Sequence, residues 1–258
     1  MPIDFHDAAN RSTYSGREAD ASWRDAVLEL VDPTSAAVVD TGCGGGTYTR
    51  AWHELGAATV TSVDFSRPIL DAAREAHGDL PGVTFRSGEA AVTGLPDSCA
   101  DVVFERALVH HVGDLGPVAA EAARLLRPGG VLLIQDRTPE DVAQPGTPDH
   151  PRGWLFEIFP RLLDVENARR PRPGTVGEVL SGAELGDVAM VSLWEVRRRY
   201  ADREDYLDEI GTRTGRSILH ELDDVELEHL VAELRQRLPE GPLVEQDRWT
   251  VWKAARPA

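Results

Sequence analysis

Four residues at regular spacing form the feature of this sequence with the clearest chemical meaning. Asp40, Gly42, Gly44 and Gly46 follow an apolar run and precede a helical pattern that Gly56 ends. Glycines at a turn from strand to helix let the backbone bend sharply and approach a ligand, whose polar groups meet N–H groups at the helix start. Parallel sheets bind ligands at the carboxyl ends of their strands. The loop therefore predicts a nucleotide-binding site.

The spacing in this loop departs from the dinucleotide fingerprint. That fingerprint, G-x-G-x-x-G/A, requires a small residue where this sequence has Thr47. Asp40 would repel a pyrophosphate, whereas its carboxylate can hold an ammonium group through a charge-assisted hydrogen bond. S-adenosylmethionine carries an ammonium group and no phosphate. The loop therefore favours S-adenosylmethionine over NAD, with Gly42, Cys43 and Gly44 as candidate contacts beside Asp40.

A second carboxylate supports an adenosine ligand. Asp64 ends the β-rich run at 59–64, about 20 residues beyond the loop, and from this position a carboxylate accepts hydrogen bonds from ribose hydroxyls. Phe65 follows it directly and is a further candidate contact. Because the ribose is common to NAD and S-adenosylmethionine, Asp64 supports both ligands equally.

The segment after the fourth predicted strand should face the reacting end of the cofactor. A methyl group on a sulfonium is transferred by direct displacement, so positioning dominates and a base is needed only where the acceptor loses a proton. His110 and His111 are the candidate bases, although a hydrogen-bonded structural role is favoured for each. Glu105 and Arg106 form either an ion pair or a helix-start contact, or they make polar contacts near the amino-acid end of the cofactor.

The elements that must position these residues follow an alternating pattern. Short β-rich runs alternate with helical patterns in the first half of the chain, which predicts a parallel sheet covered by helices. The predicted strands lie at 36–40, 59–64, 83–86, 101–104 and 131–134, with two more near 188–196 and 244–254. We expect a single α/β domain over residues 1–258.

Residues 138–173 interrupt this alternation. They are rich in proline, arginine and aromatic residues, and they contain one helical stretch near 154–165. So long a connection predicts a cap or lid after the fifth strand. Few apolar repeats hold it down, so we expect it to be mobile without ligands and to close over the acceptor. Helical runs within 203–240 predict a second cap element.

The acceptor is expected between the end of the fifth strand and the cap. Trp154, Phe156 and Phe159 are interpreted as the core of the cap rather than as a substrate cage. Two arginine runs, 169–170 and 197–199, either bind an acidic acceptor or form a solvated face, and the second interpretation is favoured. The other candidates in this region are Asp136, Arg137, His150, Arg152 and Glu157.

The composition narrows the class of partner. The chain has 258 residues and a formal net charge of −17, so its surface repels nucleic-acid phosphates and anionic lipid. The sequence shows no membrane span and no signal peptide, and its two cysteines make neither a disulfide framework nor a zinc site. We therefore expect a cytoplasmic protein with a small-molecule substrate and without a metal, nucleic-acid or membrane partner.

These motifs resemble those of the class I S-adenosylmethionine-dependent methyltransferases, in the broad methyltransferase-domain family that includes ubiquinone and menaquinone C-methyltransferase-like proteins. The segments that carry the resemblance follow one another in the expected order, and together they are highly specific. They are 38–46, 62–66, 88–90, 95–97, 100–104, 108–112 and 123–130.

The resemblance implies a Rossmann-like α/β sheet of seven strands in the order 3-2-1-4-5-7-6, with the last strand antiparallel and helices on both faces. It implies that Glu89, where the family usually has Asp, holds the adenine amino group, and that Ala90 offers its N–H to the adenine ring. It also implies that the segment before the first strand, with Tyr14 as the candidate contact, folds over the cofactor.

The predicted function is methyl transfer from S-adenosylmethionine to a small-molecule acceptor, which leaves S-adenosylhomocysteine. One alternative is a protein of the same fold that binds the S-adenosyl ligand without transferring a methyl group, because a fold does not fix its chemistry. Another, an NAD-dependent dehydrogenase, is disfavoured by Asp40 and Thr47. The acceptor, the kind of atom that is methylated and the oligomeric state stay open.

Overall fold

The structure, a computed structural model, describes residues 19–258, so Tyr14 lies outside the described residues. Seven strands in this range form one sheet. In chain order they are β1 (Ala37–Thr41), β2 (Thr59–Asp64), β3 (Val83–Ser87), β4 (Ala100–Arg106), β5 (Leu126–Asp136), β6 (Gly186–Tyr200) and β7 (Leu243–Ala255). Their order across the sheet is β3-β2-β1-β4-β5-β7-β6, and β7 runs antiparallel to both neighbours. The predicted topology is confirmed.

Ten α-helices in the described range flank or cap this sheet, and none of them is long and apolar enough to cross a membrane. They are α1 (Ala21–Leu30), α2 (Thr47–Glu54), α3 (Arg67–His77), α4 (Gly116–Leu125), α5 (Pro139–Val142), α6 (Arg152–Ile158), α7 (Pro160–Arg169), α8 (Pro173–Gly182), α9 (Arg203–Gly211) and α10 (Asp224–Arg237).

The central strands β1 and β4 are apolar because helices cover both of their faces. On one face, Val103 of β4 belongs to a buried cluster with Val176 and Leu180 of α8. On the other face, Phe104 belongs to a second cluster with side chains of α1 and α2. Successive strand residues point to opposite faces, so neighbouring apolar residues of β4 serve two different cores.

Helix α1 was not predicted from the sequence, and it completes an aromatic cluster on the sheet. Asp20 caps the helix by accepting the N–H of Ser22 at 3.1 Å. Trp23 of this helix meets Trp52 edge to face at a centroid distance of 5.5 Å, and Trp52 meets Phe104 in the same way at 5.4 Å. The helix is therefore fixed to the sheet by its own aromatic residue.

The segments predicted as two cap elements share one hydrophobic core. Leu155 and Leu162 from the first segment pack with Tyr206, Leu230 and Leu234 from the second, and all five are buried. The premise that little burial holds residues 138–173 down is therefore wrong, although closure of this segment over an acceptor stays a prediction. Trp154 and Phe156 also belong to this core, as interpreted from the sequence.

The helical stretch predicted near 154–165 is two helices. Helix α6 ends at Ile158. Its C-cap, Phe159, leaves the helical region with φ −124° and ψ 80°, and α7 begins at the next residue, Pro160. A proline ring disfavours helical geometry in the residue before it but fits the first turn of a new helix. Pro160 therefore divides the stretch into two helices. Both helices contribute side chains to the hydrophobic core that the two cap segments share, which we call the cap core.

A matched pair of substitutions in α10 tests whether the cap core stabilises the fold. Leu230 is fully buried in this core, whereas Val225 of the same helix is 76% exposed. We expect Leu230→Ala to lower the free energy of unfolding by about 2–5 kcal/mol, because it leaves a cavity. Val225→Ala should change it by less than about 0.5 kcal/mol. Chemical denaturation measures both, and equal effects would contradict a packed cap core.

Candidate active site

A cavity of about 710 Å³ lies at the carboxyl ends of β1, β2 and β4. On one side it is lined by the glycine loop and by residues that follow β2 and β3. On the other side it is lined by residues of α7, of β6 and β7, and of the segment after α9. The parallel strands and the cap therefore enclose one continuous space, at the edge where the sequence predicts a ligand.

The glycine loop uses its backbone donors within the protein. The N–H groups of Gly42 and Cys43 donate to the carbonyl of Val63 at 2.7 and 3.1 Å, and that of Gly44 donates to Asp64 at 2.9 Å. The expectation of free N–H groups for the ligand is therefore wrong at these three residues. A phosphate would find these donors already bonded, whereas an ammonium group does not need them.

Close packing explains the first glycine of the loop. Gly42 has a φ of +71°, and a Cβ atom there would lie 3.0 Å from Cδ1 of Leu108. Leu108 reaches this position because Ala107, just after β4, adopts a φ of 51° and turns the chain. Left-handed geometry is easy for glycine and strained for alanine. The backbone strain at this contact therefore lies at Ala107, on the β4 side of the cavity.

Asp64 is held in place by backbone donors from two directions. Its Oδ2 accepts the N–H of Gly44 at 2.9 Å, and its Oδ1 accepts the N–H of Ser66 at 2.8 Å. A hydrogen bond from the backbone N–H of Phe65 also lowers the pKa of Asp64, so three backbone donors orient this carboxylate. Its two oxygens offer about four acceptor sites in all, and Asp64 lines the cavity, so acceptor capacity remains for a ribose hydroxyl.

Asp40 is buried at the end of β1 and lines the cavity. It accepts a hydrogen bond of 2.7 Å from Thr49, whose hydroxyl also contacts Ser62 at 2.8 Å. Burial, together with the nearby charge of Asp64, raises the pKa of Asp40 to about 7. An ammonium group in the cavity would reverse this shift, since a nearby positive charge favours the ionised carboxylate.

Four further predicted cofactor contacts line the cavity. Phe65, Glu89 and Ala90 line the cavity, in the region where the resemblance implies the adenine ring. Cys43 lines it as well, and burial beside Asp40 and Asp64 holds the pKa of its thiol far above the usual range.

Glu105 and Arg106 do not form the ion pair considered from the sequence. Glu105 is buried and does not line the cavity, and burial raises the pKa of its carboxyl to about 8. Arg106 lines the cavity and donates from Nη2 to both carboxylate oxygens of Glu195, at 3.1 and 3.0 Å. A side-chain contact between Glu105 and the cofactor has no support in this placement, because successive residues of a strand face opposite sides.

Arg106 is clamped between two aromatic rings. Its guanidinium carbon lies 4.3 Å from the ring centre of Tyr48 and 4.1 Å from that of Trp249. Glu195 also accepts hydrogen bonds from Tyr48 and, at 2.7 Å, from the amide of Gln135. Sequence analysis missed Tyr48, Glu195 and Trp249, because nothing in their local patterns signals contacts with such distant residues.

His110 is paired with a buried carboxylate. It lies in the short 3₁₀ turn Val109–His111, and its Nδ1 is 2.8 Å from Oδ2 of Asp136. Burial lowers the pKa of His110 from its usual value of 6.5, although Asp136 opposes the shift, so the ring is neutral at pH 7. The Asp136 carboxylate, whose pKa is held at about 2, can only accept at Nδ1, so Nε2 carries the lone pair.

His111 differs from His110 in its surroundings. The two rings are tilted by 42° to each other with centroids 3.9 Å apart, and both line the cavity. Burial and the neighbouring His110 lower the pKa of His111 to about 4. Of the two candidate bases, His110 has the geometry of an oriented one.

The interpretation of both arginine runs as a solvated face is wrong for three of their five members. Arg169, Arg170 and Arg197 line the cavity, whereas Arg198 and Arg199 are exposed. Of the other candidates near the fifth strand, Arg137 and Arg152 line the cavity, with Asp136 directly behind. His150 and Glu157 do not line it.

Comparison with known proteins finds a methyltransferase domain and methyltransferase relatives. Residues 39–134 match the family described as a methyltransferase domain. The chain is 35% identical over 134 residues to a malonyl-[acyl-carrier protein] O-methyltransferase of Serratia marcescens, covering 49% of this chain and 50% of that protein. It is 32% identical over 116 residues to a demethylmenaquinone methyltransferase of Tropheryma whipplei, covering 45% and 48%. The chain thus spans about half the length of the curated relatives it matches.

Solved structures show the same fold. A putative methyltransferase from an antibiotic biosynthesis pathway of Anabaena variabilis matches with a TM-score of 0.64 at 19% identity, covering 88% of this chain and 94% of that one. A phosphoethanolamine N-methyltransferase of Haemonchus contortus, solved with S-adenosylhomocysteine, matches with a TM-score of 0.61 at 18% identity, covering 99% and 61%.

Residues 39–134 match a methyltransferase domain, and the strand order is the one that the resemblance to class I S-adenosylmethionine-dependent methyltransferases implies. S-adenosylmethionine is the cofactor of this class. Its ammonium group fits Asp40, its ribose fits Asp64, and it has no phosphate that would require the N–H groups of the glycine loop, which are bonded within the protein. The comparisons give no support to the two alternatives considered from the sequence.

The raised pKa of Asp40 predicts how cofactor binding depends on pH. An ammonium group needs the ionised carboxylate, and the unliganded pKa is about 7. We expect affinity for S-adenosylhomocysteine to rise as the pH increases through 7, by up to about tenfold between pH 6 and 8, with proton release at the lower pH. Calorimetry in two buffers of different ionisation enthalpy measures both effects. If Asp40→Asn keeps the same pH dependence, the carboxylate is not its source.

Proposed function

We propose that the protein transfers the methyl group of S-adenosylmethionine to a small-molecule acceptor and releases S-adenosylhomocysteine. The observation that carries the proposal is that one continuous cavity contains both the acids Asp40 and Asp64, which are the predicted cofactor contacts, and the oriented ring of His110. A cofactor at the first end and an acceptor at the second would meet within it.

The residues of the cofactor end have separate tasks in this proposal. Asp64 binds the ribose hydroxyls, and Asp40 binds the ammonium group. Arg106 lies close enough to Asp40 to lower its pKa, and its Nε has no hydrogen-bond partner among the described residues. We therefore assign Arg106 to the carboxylate of the cofactor. When bound, S-adenosylmethionine supplies a methyl group already activated on a sulfonium.

The other end of the cavity positions the acceptor and receives its proton. The acceptor atom donates a lone pair to the methyl carbon, and the pair of the breaking carbon–sulfur bond stays on sulfur. Where the acceptor atom carries a proton, Nε2 of His110 takes it, and Asp136 stabilises the charged ring. The cap excludes water from the reacting atoms, a task for which its packed core is suited.

A small acceptor fits the covered cavity better than a bulky one. The relatives named above include an enzyme for an acyl group on a carrier protein and an enzyme for a free quinone, so their names leave the size of the acceptor open. Here α7 and the segment after α9 contribute to the lining, and the cap core packs behind them. We infer that the whole acceptor enters the cavity.

Binding and transfer assays test this proposal in two stages. We expect S-adenosylmethionine and S-adenosylhomocysteine to bind in the micromolar range by calorimetry, and NAD not to bind. In the second stage, S-adenosylmethionine with a labelled methyl group is incubated with a fractionated cell extract, and the label should enter a fraction of low molecular mass. Label in the protein fraction would contradict the small acceptor, and binding of NAD alone would contradict the whole proposal.

The role of His110 is tested by a substitution and by its pH profile. We expect His110→Gln to lower kcat by about 10²–10⁴-fold, the usual contribution of a general base. Because burial lowers the pKa of His110 below 6.5, kcat of the parent at saturating S-adenosylmethionine should fall only below that pH. His111→Gln is the matched control, since Asp136 takes its hydrogen bond from His110. Equal, small effects of both substitutions would show that the acceptor needs no base from this pair.

A further inference from the structure

The charged lining of the cavity is divided between its two ends. Toward the glycine loop the charged residues are the acids Asp40, Asp64 and Glu89. Beyond Arg106, the cap side carries arginines that the cofactor tasks above do not use. These are Arg137, Arg152, Arg169, Arg170, Arg197 and Arg216. The acids Glu166, Glu195 and Asp247 line the same side of the cavity, so the pairing of each arginine decides whether its charge is available to a ligand.

Five of these six arginines are hydrogen-bonded to carboxylates of the protein. Arg152 donates to Asp247 at 2.7 Å, and Arg216 donates to Glu245 at 2.8 and 2.6 Å. The other pairs are Arg169 and Arg170 with Glu166, and Arg197 with Glu245. Buried ion pairs of this kind are satisfied within the fold, and they build the wall of the cavity.

Arg137 is the exception among the six. Its Nε and Nη1 are buried and have no hydrogen-bond partner among the described residues. The nearest carboxylate that forms an ion pair with it is Asp247, 3.8 Å from Nη1, and Arg152 already donates to that group. A buried guanidinium with unmet donors is costly unless a ligand satisfies it.

The surroundings of Arg137 favour an anion. Burial and the charges of Arg152 and Arg170 lower its pKa to about 9, so it is still protonated at neutral pH. Its guanidinium carbon lies 5.1 Å from the ring centre of Trp249. The planar fork of a guanidinium matches the two oxygens of a carboxylate, and such a pair is strong where water is excluded.

We propose that Arg137 binds a carboxylate group of the acceptor, so that the substrate of this enzyme is an organic acid. This inference rests on the proposed function and specifies its substrate class. The two donors of Arg137 without a hydrogen-bond partner match the two oxygens of a carboxylate, whereas a phosphate dianion would bring a second charge without a partner. The carboxylate fixes the acceptor at the cap side, and the rest of the molecule extends past Trp249 toward His110.

The test uses the full chain with S-adenosylhomocysteine bound and acetate as the probe. Proton–nitrogen NMR follows the Nε–H signals of arginine and the indole signals of tryptophan. We expect acetate to shift the Arg137 Nε–H signal in a saturable way, and acetamide, which has the same shape without the charge, to leave it unchanged. The signal is identified by its loss in Arg137→Met. An absence of any saturable shift with acetate overturns the proposal, and tighter saturation by inorganic phosphate overturns the choice of a carboxylate.

Two variants separate this site from the cofactor site. We expect Arg137→Met to weaken acetate binding, followed at the Trp249 indole, by at least about tenfold while the Kd for S-adenosylhomocysteine changes less than about twofold. Arg198→Met removes the same charge from an exposed neighbour of Arg197 and should change neither value. A matching loss of S-adenosylhomocysteine binding in Arg137→Met would assign this arginine to the cofactor and overturn the proposal.

The proposed function can fail separately. Binding of S-adenosylhomocysteine to the parent protein is measured first by calorimetry, and the acetate titration is repeated without it. A parent that binds acetate at Arg137 but not S-adenosylhomocysteine would contradict the methyltransferase function and leave the carboxylate site intact.

Discussion

The geometry of this site depends on Glu195, a buried carboxylate of β6 that accepts hydrogen bonds from Tyr48, Arg106 and Gln135. These partners come from α2, β4 and β5, so one side chain joins the glycine-loop helix, the strand that leads to His110 and the interior strand β5 to β6 at the edge of the sheet. Gln135 in turn accepts the indole N–H of Trp23 at 3.0 Å, which extends the network to α1. A buried charge is tolerated only where such donors surround it, so these contacts are mutually dependent.

The same rule explains why the cap side is rich in charge without being a solvated surface. Glu245 lies in β7 and receives hydrogen bonds from Arg197 of β6 and Arg216 of the segment after α9. Glu166 of α7 pairs with Arg170, which also reaches Asp136 at the end of β5. The cap is thus joined to the sheet through directional ion pairs as well as through its apolar core. Directional pairs fix side-chain positions more narrowly than apolar packing does, which suits the wall of a substrate cavity.

Sequence predicted the parts of this protein that depend on local pattern. The loop at 40–46, the acid at Asp64 and the seven-stranded order follow from short motifs and from the resemblance they carry, and the structure agrees with the order. Helix α1 was missed although Trp23, Val27 and Leu30 stand at helical spacing, because its ten residues are fewer than the window of about 11–18 residues in which such periodicity is judged. The pairing of Arg106 with Glu195 spans 89 positions, and no periodicity reports such contacts. For the same reason, the composition of the arginine runs indicated exposed residues. Their burial depends on ion pairs with carboxylates elsewhere in the chain, which the runs themselves do not reveal.

Cys43 lines the cavity, where a reactive thiolate could be methylated by the cofactor. A thiolate is a far better nucleophile than a thiol, and a thiolate in the cavity would compete with the acceptor for the methyl group of the cofactor. Burial and the two flanking carboxylates keep the Cys43 thiol protonated. In the proposed function, the two acids that bind the cofactor therefore also protect this thiol from methylation by S-adenosylmethionine.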